Sequence, residues 1–130
     1  MPSPARSDRA RERGQAAVEL ALGFPLVCLG LLLLVQMVVV IRAQVAVVHA
    51  AREGARAAAV SADPVGDGGA AARAALPAGT GAAGAVVRID AGATSVRAVV
   101  RLTVHTNVPL AGALVPDVDV ESVAVMQVEP

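Results

Sequence analysis

The N-terminal part of the chain alternates between charged and apolar stretches in a way that predicts one membrane-spanning helix. Residues 1–13 carry four arginines against two acidic residues. The run from Leu20 to Ile41 then contains no formally charged residue. As a helix rising about 1.5 Å per residue, this run is about 33 Å long, which is enough to cross a bilayer core. We therefore expect a transmembrane helix over residues 15–42, and the arginines predict a cytoplasmic N-terminus.

Small residues continue the helical pattern beyond the apolar run. They recur at spacings of three and four, which predicts that the helix continues over residues 43–60; the stripe consists of Ala43, Val47, Ala50, Gly54, Ala57 and Ala58. A glycine inside a helix costs about 1 kcal/mol relative to alanine, so Gly54 indicates close packing against another backbone. Ala50, Gly54 and Ala57 are the candidate packing residues, facing either the sheet of the same chain or another subunit.

The rest of the chain predicts a loop followed by a small sheet. The helix is expected to end near Asp63–Pro64, since the residue before a proline disfavours helical dihedrals. Residues 61–84 are rich in glycine and alanine and predict a loop, with a short helix from Gly69 to Leu76 as the alternative. Residues 85–130 alternate apolar and polar positions, which is typical of antiparallel strands.

We expect three strands in this C-terminal region. Gly92 marks the first turn, and pairing of Asp90 with Ser95 would put the apolar residues of two strands on one face. The third strand is predicted from about Val118 to Val128. The predicted fold class is α+β: one long N-terminal helix, residues 16–60, whose second half packs on a small three-stranded antiparallel sheet.

The spacing of Gly14 and Glu19 predicts how the N-terminus is processed. An ordinary secretory signal has an apolar region of about 7 to 15 residues followed by a small-residue cleavage site, whereas this apolar run is longer. Prepilin-type leaders are cut after a glycine on the cytoplasmic side. The spacing therefore predicts cleavage between Gly14 and Gln15, with residues 1–14 as the leader. The alternative is an uncleaved anchor in which Gly14 is a linker residue and Glu19 is an acid favoured at a helix start.

Two segments together resemble a known family. The run Gly14-Gln15-Ala16-Ala17-Val18-Glu19-Leu20-Ala21-Leu22, then Pro25, then Ala50-Ala51-Arg52-Glu53-Gly54-Ala55-Arg56-Ala57, resembles the TadE-like minor pilins, or pseudopilins, of the tight-adherence (Tad/Flp) type IVb pilus system. Leu20 departs from both groups of that system, because major pilins usually carry Tyr at this position and TadE-like proteins often carry Phe. The departure from Tyr favours a minor pilin over a major one. The Cys pair that some relatives carry in the C-terminal region is not in this sequence.

The resemblance implies a function in pilus assembly. It implies a prepilin peptidase as the processing enzyme, and other pilins and the pilus assembly platform as partners. Glu19 would be the assembly residue, paired with the N-terminal amine of a neighbouring subunit. The protein would cross the membrane once, with an extracytoplasmic C-terminal domain that can reach the cell surface within a fibre.

Two other functions stay open at this point. One is a single-pass, membrane-anchored extracytoplasmic interaction domain. The other is a DNA-handling minor pilin, because the strand pattern puts Arg88, Arg97 and Arg101 on one face. Nucleic acid is the weaker hypothesis, since the chain has equal numbers of basic and acidic residues and its one aromatic residue, Phe24, lies in the apolar run.

The sequence predicts no enzyme. His49 and His105 are far apart, Cys28 lies in the apolar run, and no serine stands in a nucleophile motif. We therefore expect no catalytic residue, no metal site, no cofactor and no small-molecule substrate.

Overall fold

The computed structural model describes residues 4–78, 84–106 and 116–128, with side chains from residue 14 onward. It contains helices α1 (Pro4–Val60) and α2 (Pro64–Ala74) and strands β1 (Val86–Ala91), β2 (Ser95–Val104) and β3 (Val118–Gln127). The strands form one antiparallel sheet in the order β1-β2-β3. The predicted α+β class, a long N-terminal helix with a three-stranded antiparallel sheet, is confirmed.

The chain divides into two units, Met1–Val35 and Gln36–Pro130. The first contains most of the apolar run of α1. The second contains the remainder of α1, helix α2 and the sheet. The second unit is called the head below.

Helix α1 begins earlier than the sequence predicts and ends where expected. The predicted start at residue 16 is wrong, because α1 begins at Pro4. Proline fits the first turn of a helix, where its missing N–H is not needed, and the Arg, Ala and Glu residues that follow are good helix formers. The end at Val60, just before Asp63–Pro64, agrees with the prediction.

The predicted loop over residues 61–84 is wrong for Pro64–Ala74, which form α2. The Asp63 side chain caps this helix by accepting a hydrogen bond of 3.1 Å from the backbone N–H of Gly66. Pro64 occupies the first turn, where its fixed φ favours a helix. The capping signal and the burial of Gly68, Gly69 and Ala72 offset the poor helix propensity of glycine. The alternative of a helix from Gly69 to Leu76 starts five residues too late.

The register of β1 and β2 differs from the predicted one by two residues. Asp90 pairs with Arg97, whereas the sequence predicted Ser95 as its partner. The cause lies in the turn, because the N–H of Gly92 donates to the carbonyl of Ser95 at 2.9 Å and leaves Ala93 and Thr94 at the tip. A shift of two residues keeps every side chain on its face, so the apolar positions still share one side of the sheet.

The core of the head lies between this apolar side and α1. One cluster joins Val47 and Ala50 of α1 to Val100 and Leu102 of β2, and a second joins Ala55 and Ala58 to residues of β1 and β2. The buried positions of α1 are mostly alanine, which lets the helix backbone approach the sheet closely. The second half of α1 therefore forms the layer that covers the sheet, as predicted.

Candidate functional site

The apolar run of α1 exposes its side chains within the chain. Leu20, Leu22 and Leu26 each keep about 70% of their surface exposed. Part of α1 is long and apolar enough to cross a membrane, and none of that window is buried against other residues of the chain. Exposed apolar surface of this extent needs lipid or a protein partner to remove it from water.

Gly14, Gln15 and Glu19 are exposed positions of α1. A Cβ atom built on Gly14 would meet no atom within 4 Å, so the fold itself does not require glycine there. The bond between Gly14 and Gln15 lies inside the helix, and a protease that needs an extended backbone has to unwind this turn. Glycine lowers the cost of unwinding by about 1 kcal/mol relative to alanine. Cleavage at this bond stays a prediction.

The position of Glu19 in α1 argues against the explanation that the uncleaved-anchor alternative gives for this residue. In that alternative, Glu19 is explained as an acid favoured by the dipole at a helix start. Helix α1 begins at Pro4, and no acidic residue lies in its first turn. The dipole effect falls off within one turn, so it does not explain Glu19 in the uncleaved chain. Cleavage between Gly14 and Gln15 would instead make Glu19 the fifth residue of the mature chain.

Gly54 packs against helix α2 of the same chain. A Cβ atom built on Gly54 would lie 2.9 Å from Ala72 Cβ and 3.0 Å from the carbonyl oxygen of Gly68. The reverse contact is as tight, because a Cβ on Gly68 would lie 2.7 Å from Ala58 Cβ and 2.9 Å from the Gly54 carbonyl oxygen. Two glycines thus let the backbones of α1 and α2 touch.

The other candidate packing residues lie on either side of this contact. Ala50 is completely buried in the core of the head, and Ala57 is partly buried. Gly54 therefore faces its own chain, but its tightest neighbours belong to α2 and not to the sheet, which is the neighbour that the sequence predicts within the chain. Packing of this stripe against another subunit stays a prediction.

The outer face of the sheet carries the predicted basic residues, and one of them is neutralised. Arg101 binds the Glu121 carboxylate through Nε, at 2.7 Å, and through Nη2. This hydrogen bond, together with the charge of Glu121, raises the pKa of Arg101. Arg97 stands opposite Asp90 in the ladder, and Arg88 makes no ion pair with a described residue.

Asp117, just before β3, contacts His105 and Thr106, just after β2. Its Oδ1 accepts a hydrogen bond of 3.0 Å from the backbone N–H of Thr106, and its Oδ2 lies 2.8 Å from Nδ1 of His105. The Thr106 hydroxyl donates to the carbonyl of Pro116 at 3.1 Å. The Thr106 N–H and, to a lesser extent, His105 lower the pKa of Asp117. The residues between, 107–115, lie outside the described part of the chain.

This lowered pKa gives a pH dependence with a definite sign. Because the carboxylate is favoured in the folded state, its contribution to stability is complete above the usual carboxyl pKa near 4 and is lost as pH falls through the lower folded value. NMR titration of the Asp117 carboxyl carbon should therefore give a midpoint below that of an ordinary aspartate. His105→Ala should raise the midpoint only in part, since the Thr106 N–H remains. An ordinary midpoint in the unchanged protein would contradict this contact.

Sequence reasoning missed two of these features. The sequence does not predict the contact between Gly54 and Gly68, because the glycine-rich segment that forms α2 predicts a loop, although Asp63–Pro64 is a helix-start signal as well as a helix stop. The Asp117 contact joins residues eleven and twelve positions apart, and no local pattern marks it.

The described structure thus defines a class: one helix able to span a membrane, together with a small α+β head. Residues 14–56 match the family model described as TadE-like protein. This segment is about a third of the chain and contains Gly14, Glu19 and Gly54, and the resemblance seen in the sequence is confirmed over it. TadE-like proteins are associated with the Tad pilus and are structural proteins. No curated protein and no solved structure matches the chain.

Proposed function

We propose that this protein is a minor pilin, or pseudopilin, that a prepilin peptidase processes and that takes part in assembling a tight-adherence pilus. One observation carries the proposal. A single carboxylate, Glu19, lies exposed at the entrance of an exposed apolar helix, five residues after Gly14 and inside the segment that matches TadE-like proteins.

Cleavage after Gly14 would change the net charge of the chain and would put a free N-terminal amine close to Glu19. It removes four of the 11 basic residues and two of the 11 acidic residues, so the net charge falls from 0 to 7 − 9 = −2. It also creates a free amine on Gln15, four residues before Glu19. A lone carboxylate in the membrane costs a few kcal/mol, which a cationic partner offsets. The amine of a neighbouring subunit is that partner, so Glu19 sets the register between subunits.

The proposed topology follows from the same features. The N-terminus lies in the cytoplasm, the helix crosses the membrane once, and the head is extracytoplasmic, where it meets other pilins and the assembly platform. Leu20, in place of the tyrosine usual in major pilins, favours a minor subunit.

The DNA-handling alternative receives little support from the outer face of the sheet. Glu121 neutralises Arg101, and Asp90 stands opposite Arg97, so the three arginines do not form a uniformly positive surface. The described residues of this face include no aromatic side chain on which a base could stack.

Replacing Glu19 with alanine tests the proposed role in assembly. Glu19→Ala should insert into the membrane at least as well as the unchanged protein, because it removes a charge from the edge of an apolar helix. It should nevertheless abolish incorporation into the pilus machinery, since the amine of the neighbouring subunit loses its partner. Co-purification with the other pilins and electron microscopy of piliated cells measure the effect.

Glu53→Ala is the matched control. Glu53 lies on the same helix, within the head, where its carboxylate is 4.0 Å from Arg56 in a solvent-exposed pair worth at most about 1 kcal/mol. This variant should assemble normally. Normal assembly of Glu19→Ala would contradict the register role, and defective assembly of both variants would show that helix acids act without regard to position.

A further inference from the structure

Strand β3 forms one edge of the sheet, and its outward-facing backbone groups can be identified from the ladder. The N–H of Gly92 donates to the carbonyl of Ser95, and the N–H of Val128 donates to the carbonyl of Thr94. In an antiparallel ladder, hydrogen-bonded and non-hydrogen-bonded pairs alternate. The odd-numbered residues of β3 are therefore the non-hydrogen-bonded partners of β2, and their N–H and C=O groups point away from the sheet. These residues are Asp119, Glu121, Val123, Val125 and Gln127.

This edge is almost unpaired among the described residues. One hydrogen bond reaches it, from Nε2 of Gln44 to the carbonyl of Glu121, at the long distance of 3.5 Å. The side chains of the same odd-numbered residues lie on the outer face, where Val123 and Val125 are 49% and 56% exposed.

Several of the features that normally protect an edge strand are missing from β3. The strand is 10 residues long and contains no proline, glycine or lysine. Proteins usually protect such an edge with charged residues, above all lysine, with proline, with a bulge or with a covering element, because bare N–H and C=O groups pair readily with another strand. Of these features, the described strand has two charged residues, Asp119 and Glu121. The pairing of β2 with β3 runs without a bulge over all 10 residues.

We propose that this edge pairs with the same edge of a second copy of the chain, antiparallel and centred on Val123. In this register Val123 faces its own counterpart, Glu121 faces Val125, and Asp119 faces Gln127. The outward-pointing residues of one copy then meet those of the other, and about ten backbone hydrogen bonds form between the two strands. The result is a continuous six-stranded sheet across a two-fold axis.

The charges of β3 favour a second copy of the chain as the partner and an antiparallel direction for the pairing. Antiparallel pairing puts each acidic side chain opposite an uncharged one, whereas parallel in-register pairing would put Asp119 and Glu121 opposite their own counterparts. Like charges directly opposite each other destabilise a strand pair. Arg101 keeps its bond to Glu121, and Val99 and Val123 of the two copies form an unbroken apolar row across the outer face. The single 3.5 Å bond from Gln44 is the contact that must be given up.

This pairing is independent of the proposed processing and of the role of Glu19. It follows from the head alone, and it adds a second contact between subunits besides the membrane helix.

Cysteine cross-linking of the full chain in detergent micelles tests the proposal. In a Cys28→Ala background, Val123→Cys should form a disulfide-linked dimer under mild oxidation, because directly opposite Cα atoms in a hydrogen-bonded pair lie about 5.5 Å apart. Asp119→Cys is the control on the same edge and face. Two copies of residue 119 would lie eight positions apart, or about 27 Å, and should not link.

Mixing two single-cysteine variants fixes the direction of pairing. Asp119→Cys and Gln127→Cys should each remain monomeric on a non-reducing gel when alone and should form a dimer when mixed. Linking of all positions alike, linking of Asp119→Cys with itself, or no linking of Val123→Cys in the folded chain would overturn the proposal.

A backbone variant tests it without cysteine. Val123→Pro removes an N–H that points away from the sheet, so the head should stay folded while the dimer is lost, as measured by circular dichroism and light scattering. Val123→Thr keeps the N–H and should keep the dimer. A dimer that survives Val123→Pro would show that the contact lies elsewhere on the chain.

Discussion

Replacing Gly14 with leucine should leave the protein unprocessed and about 14 residues longer than the mature form. The structure indicates that the effect would not come from a disturbed fold. A side chain at Gly14 would meet nothing within 4 Å, so the substitution does not disturb the fold. Leucine also favours a helix over glycine by somewhat less than 1 kcal/mol, which makes the turn harder to unwind, and its side chain obstructs a cleft that accepts glycine. Gel mobility of the membrane fraction measures the result.

Gly30→Leu is the matched control for this variant. Gly30 is also an exposed glycine of α1 with no atom within 4 Å of a built Cβ, and leucine there keeps the run apolar. It should be processed normally. Equal processing of Gly14→Leu in cells with active prepilin peptidase would contradict the leader, whereas failure of both variants would point to the helix as a whole.

Alanine at Gly68 and alanine at Gly69 should change stability in opposite directions. At Gly68 the new methyl group would lie 2.7 Å from Ala58 Cβ and 2.9 Å from the Gly54 carbonyl oxygen. The backbone cannot give way cheaply, and such overpacking costs about 1 to 3 kcal/mol, more than the helix propensity gained. At Gly69 the nearest atom is the flexible end of Arg73, at 3.2 Å, so that most of the gain of up to about 1 kcal/mol should remain.

Thermal unfolding followed by circular dichroism separates the two variants. Gly68→Ala should unfold at a lower temperature than the unchanged protein, and Gly69→Ala at the same or a higher temperature. A larger residue such as leucine at position 68 should prevent α1 and α2 from packing altogether. If Gly68→Ala were as stable as Gly69→Ala, the two helices would not be in backbone contact.

The parts of the fold that follow local patterns could be predicted from the sequence. The end of α1 is set by Asp63–Pro64 and the bounds of β3 by its alternation of apolar and polar residues, so the predicted helix end at residue 60 and the predicted strand from Val118 to Val128 agree with the structure within one residue. The face of each side chain was also predictable, because a shift of two residues in the register of β1 leaves the alternation intact.

Other parts depend on contacts that no local pattern contains. Helix α2 has a glycine-rich sequence, and it forms because Gly68 and Ala72 fit against α1, which only the three-dimensional arrangement shows. The early start of α1 at Pro4 reflects good helix formers in residues 5–13, whereas the expected start near residue 16 follows from the predicted cleavage after Gly14.

The roles of the candidate site residues in cleavage and assembly stay predictions. Gly14 and Glu19 are recognised by their spacing, and the structure adds that Gly14 is free of packing constraints and that Glu19 lies far from the helix start. The sequence does not assign the packing partner of Gly54, since its neighbour Gly68 lies in a segment whose composition predicts a loop.

N-terminal sequencing of the protein extracted from membranes of cells with active prepilin peptidase is the most direct measurement of the proposed function. It reads the cleaved bond itself and does not depend on whether a pilus is assembled. The proposed processing predicts Gln15 as the first residue. A chain that retains residues 1–14, or one cut on the C-terminal side of the apolar run, would contradict it.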